Sequence, residues 1–246
     1  MQSILQQTSH RPFALPDSPW VMRQSWDNLL FAHWPIAATE LRDSIPAGLE
    51  IDTYDQYAWI AVVPFAMNDV CPRYLSPLPW ISNFLELNVR TYVVKNGVPG
   101  VYFFSLDCSN PVAVRVARQF FHLPYFDAKM SLNFDGNEVI YKSSRTSSGQ
   151  IFEARYYPVG KILEPTKDSI EHFLTERYCL YTTDKRGRIY QGVIHHLPWT
   201  LQIAQAEIQT NTMISADLGF TLPKSKPLLH FSKSIDTVEW WLRGMS

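Results

Sequence analysis

Glu86, Asn88 and Arg90 occupy alternate positions in the segment FLELNVRTYVV, residues 84–94. Side chains alternate across a strand, so these three share one face with Tyr92, about 7 Å apart per step. Turned to water, they make an ordinary polar face. Turned into a closed sheet, they set a carboxylate and a guanidinium in a shielded interior where their pKa values respond to each other. Arg118 and His122 lie near the end of the helical segment that follows, and Tyr125 comes just after. The candidate ligand-binding set is therefore Glu86, Arg90, Arg118, His122 and Tyr125. Arg90 or Arg118 would pair with a carboxylate, Tyr125 would donate from its hydroxyl, and Glu86 would accept a hydrogen bond or a proton. The candidate catalytic set is Glu86, Tyr125 and His122, with Glu86 as base and Tyr125 or His122 as acid or oxyanion donor.

Other chemistries lack their signals. None of the seven histidines sits in H-E-x-x-H, and no Cys/His cluster has zinc spacing. His195 and His196 are neighbours in an expected strand and point to opposite faces. No metal and no cofactor is expected. The nucleophile elbow, the P-loop and the dinucleotide-binding glycine pattern are all missing. Lys185-Arg186-Gly187-Arg188 reads as a solvated hairpin tip, and the eight scattered tryptophans read as core.

The elements that position these residues read mostly as strands. Residues 57–65 are a buried strand, and Asn96-Gly97 joins the 84–94 strand to 100–108 as a hairpin. A second hairpin turns at Asp135-Gly136-Asn137, and further strands fall at 150–158, 178–183, 188–196 and 200–210. Asn110-Pro111 is a cap followed by a first-turn proline, and it starts a helix that Pro124 ends. The inward face of that helix is Ala113, Val116, Ala117, Phe120 and Phe121. Helices are also expected at 19–30, 38–45 and 167–177. The fold class is α+β, an antiparallel sheet curved or closed into a barrel with a few flanking helices.

Composition sets the outer bounds. Of 246 residues 46% are apolar and 18% charged, which excludes a disordered chain. A net charge of -1 gives no reason to expect a nucleic-acid partner. No apolar run reaches membrane-span length, and the start has no signal-peptide pattern. With Cys71, Cys108 and Cys179 read as reduced thiols, the expected location is cytoplasmic. One domain is expected over 1–246, with residues 1–17 an extended arm. Residues 72–84 read as a long packed surface loop. A homo-oligomer is possible on the aromatic content.

The stretches HWPIAATELRDSIPAGLEIDTYDQYAWIAVVPFAM, FLELNVRTYVVKNGVPGVYFFSLDCSNPVAVRVARQFFHLPYFDAKM, FLTERYCLYT, GVIHHLPW and PLLHF resemble, in this order, the YqjF-like family, a bacterial family of unknown function. That family is in turn distantly similar to acetoacetate decarboxylase. The shared pattern includes Pro46 to Ile51, Glu86 eleven residues before Gly97, and Leu106-Asp107 followed by a helix, Arg118 and Pro124. The resemblance implies a cone-like antiparallel barrel with outer helices and a small-molecule cavity. It also implies a departure. The decarboxylases carry two lysines directly after that proline, one forming a Schiff base, and here the positions are Tyr125 and Phe126. Lys129 stands four residues beyond. Three functions follow as expectations: a small-molecule-binding protein for an organic acid or carbonyl compound, a lyase, isomerase or hydratase working without an imine, or a packed barrel that docks a partner through 72–84.

Overall fold

The computed structural model describes residues 2–214, 218, 219 and 221–245. Its strands in chain order are β1 (Met22–Ile36), β2 (Glu50–Ile51), β3 (Ala58–Pro72), β4 (Phe84–Lys95), β5 (Val98–Cys108), β6 (Tyr125–Asp135), β7 (Glu138–Arg145), β8 (Ile151–Val159), β9 (Cys179–Thr183), β10 (Ile189–His195), β11 (Leu201–Asn211), β12 (Leu228–Glu239) and β13 (Arg243–Gly244). The helices are α1 (Gln2–Leu5), α2 (Ala38–Leu41, continued by a 3-10 turn), α3 (Pro111–Phe120) and α4 (Ile170–Thr175).

Nine strands close into a barrel in the order β5-β6-β7-β8-β11-β12-β1-β3-β4 and back to β5. The expected barrel with few helices is present, but it is mixed. β5 runs parallel to β6 and to β9, and the other pairings are antiparallel. A parallel neighbour needs a crossover, and α3 supplies the one from β5 to β6. The sheet also forks. β9 pairs with β5 at Val101 and Tyr102, and β10 pairs with β12 at Ile194 and His195. A smaller ring of seven strands, β5-β9-β10-β12-β1-β3-β4, therefore shares five strands with the larger one. Gly100 permits the β5–β9 junction. A Cβ there would stand 2.8 Å from Cys179 Sγ and 2.9 Å from the Cys179 carbonyl oxygen.

Local chemistry explains the elements nearest the site. Asn96 and Gly97, with φ of 51° and 75°, form the two-residue turn between β4 and β5. Positive φ at both positions is the type I′ geometry that matches strand twist. The Asn110 side chain caps α3, accepting from the backbone N–H of Val112 at 2.9 Å and of Ala113 at 3.2 Å. One face of β4 packs into the larger barrel, where Leu87, Val89 and Val93 join Tyr141, Phe152 and Tyr156.

Several expectations need correction. Residues 19–30 are not a helix: the long strand β1 begins at Met22. Its apolar spacing is not a clean alternation because register shifts interrupt the strand, one around Asn28, whose φ is +55°. A bulge adds a residue and reverses the facing of all that follow. The central strand β12 was missed altogether. The helix expected at 167–177 is only α4. Residues 2–5 wind into a helical turn and Ile4 is buried with Val238 and Trp240, so the first segment is not simply an extended arm. The loop after β3 is not packed, with Tyr74 88% and Trp80 87% exposed. No helix among the described residues is long and apolar enough to cross a membrane. Cys71, Cys108 and Cys179 are all buried free thiols.

Candidate functional site

Side chains from all seven strands of the smaller ring, with α3, line a cavity of about 300 Å³. The cavity that the resemblance implies is present, and the alternative of a packed barrel interior does not describe this hollow. Bulges aim the lining. On β1, Gln24 and Trp26 face in before the register shift and Leu29 after it. On β3 the facing passes from Val63, Phe65 and Met67 to Val70 across Asp69, whose φ is +53°. On β5 it passes from Val101 and Phe103 to Leu106, at the shift opposite Val89 and Arg90. β4 pairs with β3 without interruption, so Phe84, Glu86, Asn88 and Arg90 all face the cavity.

The polar groups are few, and their surroundings differ. Glu86 is 2% exposed, and the Tyr125 hydroxyl donates to its Oε2 at 2.7 Å. Burial raises the Glu86 pKa to about 8. Hydrogen bonds from Tyr125 and Asn88 oppose the rise, and the charge of Glu239 adds to it. Glu239, at the end of β12, also lines the cavity, and burial raises its pKa to about 7. At neutral pH Glu86 is thus mostly a neutral acid, an O–H donor in an apolar site. The strand that presents Tyr125 is held from behind. Arg145 pairs with Asp107 at 2.7 Å, both fully buried, and its guanidinium lies 4.1 Å from the Phe126 ring centre.

Two arginines line the cavity, and among the described residues one of them has a carboxylate. Arg177 pairs with Asp52 at 2.6 Å and donates to the Phe173 carbonyl at 2.7 Å. Arg90 is 9% exposed. Its guanidinium makes a long hydrogen bond, 3.5 Å to the Leu174 carbonyl, and interacts with the Tyr92 hydroxyl, while its Nε has no partner among the described residues. The guanidinium lies 5.5 Å from the Phe31 ring centre and 5.8 Å from that of Tyr92, so aromatic faces supply most of its setting.

The structure therefore brings Glu86, Arg90 and Tyr125 to one cavity and leaves Arg118 and His122 outside its lining. Arg118 is on the exposed side of α3, where its Nε donates to the Tyr125 carbonyl at 2.6 Å. His122 follows the helix with φ of +50°, exposed, its ring 5.2 Å from that of Tyr190. The helix itself differs from the expected packing. Val114 is its fully buried residue, Phe120 is 57% exposed, and Val116 faces both cavity and solvent. The reason is that α3 covers a hollow rather than a solid core.

The family model for DUF2071, described as an uncharacterized conserved protein, matches residues 23–236. The chain belongs to the DUF2071 family. This DUF2071 chain is 47% identical over 234 residues to the uncharacterized protein YqjF of Bacillus subtilis, covering 95% of this chain and 96% of the relative. Its fold is similar to that of acetoacetate decarboxylase from Legionella pneumophila, with a TM-score of 0.66 at 12% identity over 99% of this chain and 95% of the other. It is similar as well to the enduracididine biosynthesis enzyme MppR complexed with pyruvate, with a TM-score of 0.67 at 12% identity over 96% and 93% of the two chains. At such identities the likeness shows the fold alone.

The DUF2071 cavity also holds residues that sequence reasoning missed: Glu239, Arg177, His196 and Gln24. They come from segments far from β4, and only closure of the smaller ring brings them together. The one local signal was an acid between Val238 and Trp240. Burial lowers the pKa of His196, whose ring stacks on Tyr178 at 4.6 Å. His195, pointing the other way, lies 3.1 Å from an Arg11 guanidinium nitrogen. No group of three His, Cys, Asp or Glu among the described residues is arranged to hold a metal ion. Chemically, the site offers a cation without a counter-ion among the described residues, a neutral acid with a phenol further along the same strand, and apolar walls.

Proposed function

We propose that this protein binds a small organic acid or carbonyl compound in the cavity, with Arg90 receiving its negative charge and Glu86 and Tyr125 meeting a second polar atom. The observation that carries this reading is the state of Arg90. A buried guanidinium is costly unless a charge or a full set of acceptors meets it, and Arg90 has neither among the described residues. An incoming carboxylate would supply both in a bidentate pair. The walls around it are predominantly apolar, as in most ligand pockets.

Binding without an imine is the form we favour. Tyr125 and Phe126 stand where the decarboxylase pattern implies lysines, no lysine is among the residues lining the cavity, and Lys129 is exposed on β6. Imine chemistry requires an amine. A second reading rests on Glu86 and Tyr125. A buried carboxyl with a pKa near working pH, bonded to a phenol, is suited to proton transfer next to a carbonyl. The three buried thiols suit a cytoplasmic location.

The test is calorimetric titration of the protein and of Arg90→Gln with a panel of organic acids and their uncharged amides. Acids that bind the protein, bind Arg90→Gln at least about tenfold more weakly, and outcompete their amides support the reading. Equal binding of acids and amides contradicts it. For the second reading, loss of any detected turnover in Glu86→Gln supports a catalytic carboxyl, and unchanged turnover excludes it.

A further inference from the structure

We propose that the ligand is an amphiphilic monocarboxylic acid, its carboxylate on Arg90 and its apolar body lying along β4 toward an opening between α3 and the loop after β3. The inference rests on the organic-acid reading above and adds the chemical class of the remainder of the molecule.

The direction of the cavity is the first argument. Phe84 and Arg90 both line it and are six residues apart on an uninterrupted strand, about 20 Å at the usual rise. Arg90 is 9% exposed, whereas Ile81, Val112 and Val116, which also line the cavity, are 40%, 50% and 46% exposed. The cation is therefore at the deep end and the opening at the Phe84 end. A two- or three-carbon acid on Arg90 would leave most of this length unfilled.

The second argument is the character of the walls. Between the deep end and the opening, the lining includes Trp26, Phe65, Phe103 and Leu106, with Asn88, Gln24, Glu239 and the Glu86–Tyr125 pair as its polar interruptions. Apolar side chains still make up most of the wall, so a body that is mostly hydrocarbon with isolated polar atoms suits it better than one polar along its length, since each unmet polar group is costly in an apolar site. One unpaired guanidinium suits one carboxylate, since Arg177 already has Asp52.

The third argument lies outside the hollow. Trp80 is 87% exposed beside Ile81, and its backbone carbonyl is fixed by the Asn110 side-chain amide at 3.0 Å. Leu78 and Phe120 are each 57% exposed. Exposed apolar surface of this kind marks a site of contact. Because it continues the cavity lining through Ile81, the end of the same apolar body is the occupant it fits.

The test is titration with dodecanoate, dodecanol and butyrate, each below micelle formation, against the protein, Arg90→Gln and Ala117→Trp. Ala117 lines the cavity from α3, and a larger side chain there narrows the hollow. Each buried methylene is worth about a fourfold gain in affinity. The proposal expects dodecanoate to bind about a hundredfold or more tightly than butyrate and more tightly than dodecanol. Arg90→Gln should lose about tenfold or more for dodecanoate but not for dodecanol, and Ala117→Trp should weaken dodecanoate more than butyrate. Should Arg90→Gln not fold, the dodecanoate-to-dodecanol ratio on the unaltered protein reports the charge. Butyrate binding as tightly as dodecanoate, with loss in Arg90→Gln, overturns the amphiphile and leaves the organic-acid reading standing. Failure of both acids on the unaltered protein overturns both.

Discussion

Glu86 and Arg90 stand on the same face of β4, four residues apart, and they are not bonded to each other. Tyr125 holds the carboxyl through a 2.7 Å hydrogen bond, while the guanidinium reaches the Leu174 carbonyl at 3.5 Å and the Tyr92 hydroxyl. About 13 Å of strand separates their backbones, and no ion pair joins them; the Glu86 carboxyl is turned to Tyr125. The two groups most able to neutralise one another are instead kept apart in one cavity. Glu86 responds by holding its proton. Arg90 remains a cation lodged between aromatic rings.

This separation predicts that the binding residue is a burden on the unliganded fold. Replacing Arg90 by Met removes an uncompensated buried charge and keeps much of the side-chain volume. Arg90→Met should unfold about 1–3 kcal/mol less readily than the parent in denaturant titration. It should also lose carboxylate binding. A destabilised Arg90→Met would mean that Arg90 has structural work unrelated to a ligand.

Stability should fall as pH rises above about 6.5, where the buried histidines, whose pKa values burial lowers, no longer oppose the trend. Glu86 and Glu239 have folded pKa values of about 8 and about 7, raised first by burial, against an ordinary value of 4.5. Between these limits the folded chain holds protons that the unfolded chain has released, so ΔG of unfolding decreases with pH. The stabilising contribution is fully present below about pH 4.5 and is lost progressively up to about pH 8. Each group contributes at most about 1.4 kcal/mol per pH unit. Urea melts from about pH 7 to about pH 8, above the range where the histidines titrate, should show the decline, and Glu86→Gln should flatten it. A curve with the same slope in both proteins would contradict the placement of Glu86.

Tyr125→Phe should move Glu86 further in the same direction. The phenol hydrogen bond lowers the Glu86 pKa, so removing it raises that pKa. Loss of a buried hydrogen bond should also cost about 1–2 kcal/mol. Carbonyl-carbon NMR titration of Glu86 in both proteins checks the first point, and chemical denaturation checks the second.

The forked sheet depends on one missing side chain. At Gly100 an added methyl group would collide with backbone as well as side chain of Cys179. Gly100→Ala should cost about 1–3 kcal/mol, the usual range for overpacking. Because the smaller ring closes there, the variant should also bind ligand more weakly. Hydrogen exchange should speed up in β9 and β10 before β7 and β8.

What the sequence could reveal followed the continuity of each strand. β4 was legible because it pairs with β3 without a bulge, so alternation assigned Glu86, Asn88 and Arg90 correctly to one face. The Asn96-Gly97 hairpin and the Asn110 cap were legible because each depends on a few neighbouring atoms. β1 was misread because register shifts reverse its facing, leaving neither period intact. Arg118 and His122 were placed near the cavity on sequence proximity, yet one side of α3 must face water, and both fall outside the lining. Glu239 and Arg177 could not be assigned, because their nearness to Glu86 and Arg90 exists only after the ring has closed.

The most direct measurement is a crystal structure of the protein grown with dodecanoate. The account predicts a carboxylate within hydrogen-bonding distance of the Arg90 guanidinium and a chain extending past Glu86 toward Ile81 and Val116. A carboxylate resting at the opening, or a chain bound elsewhere with Arg90 untouched, would contradict it.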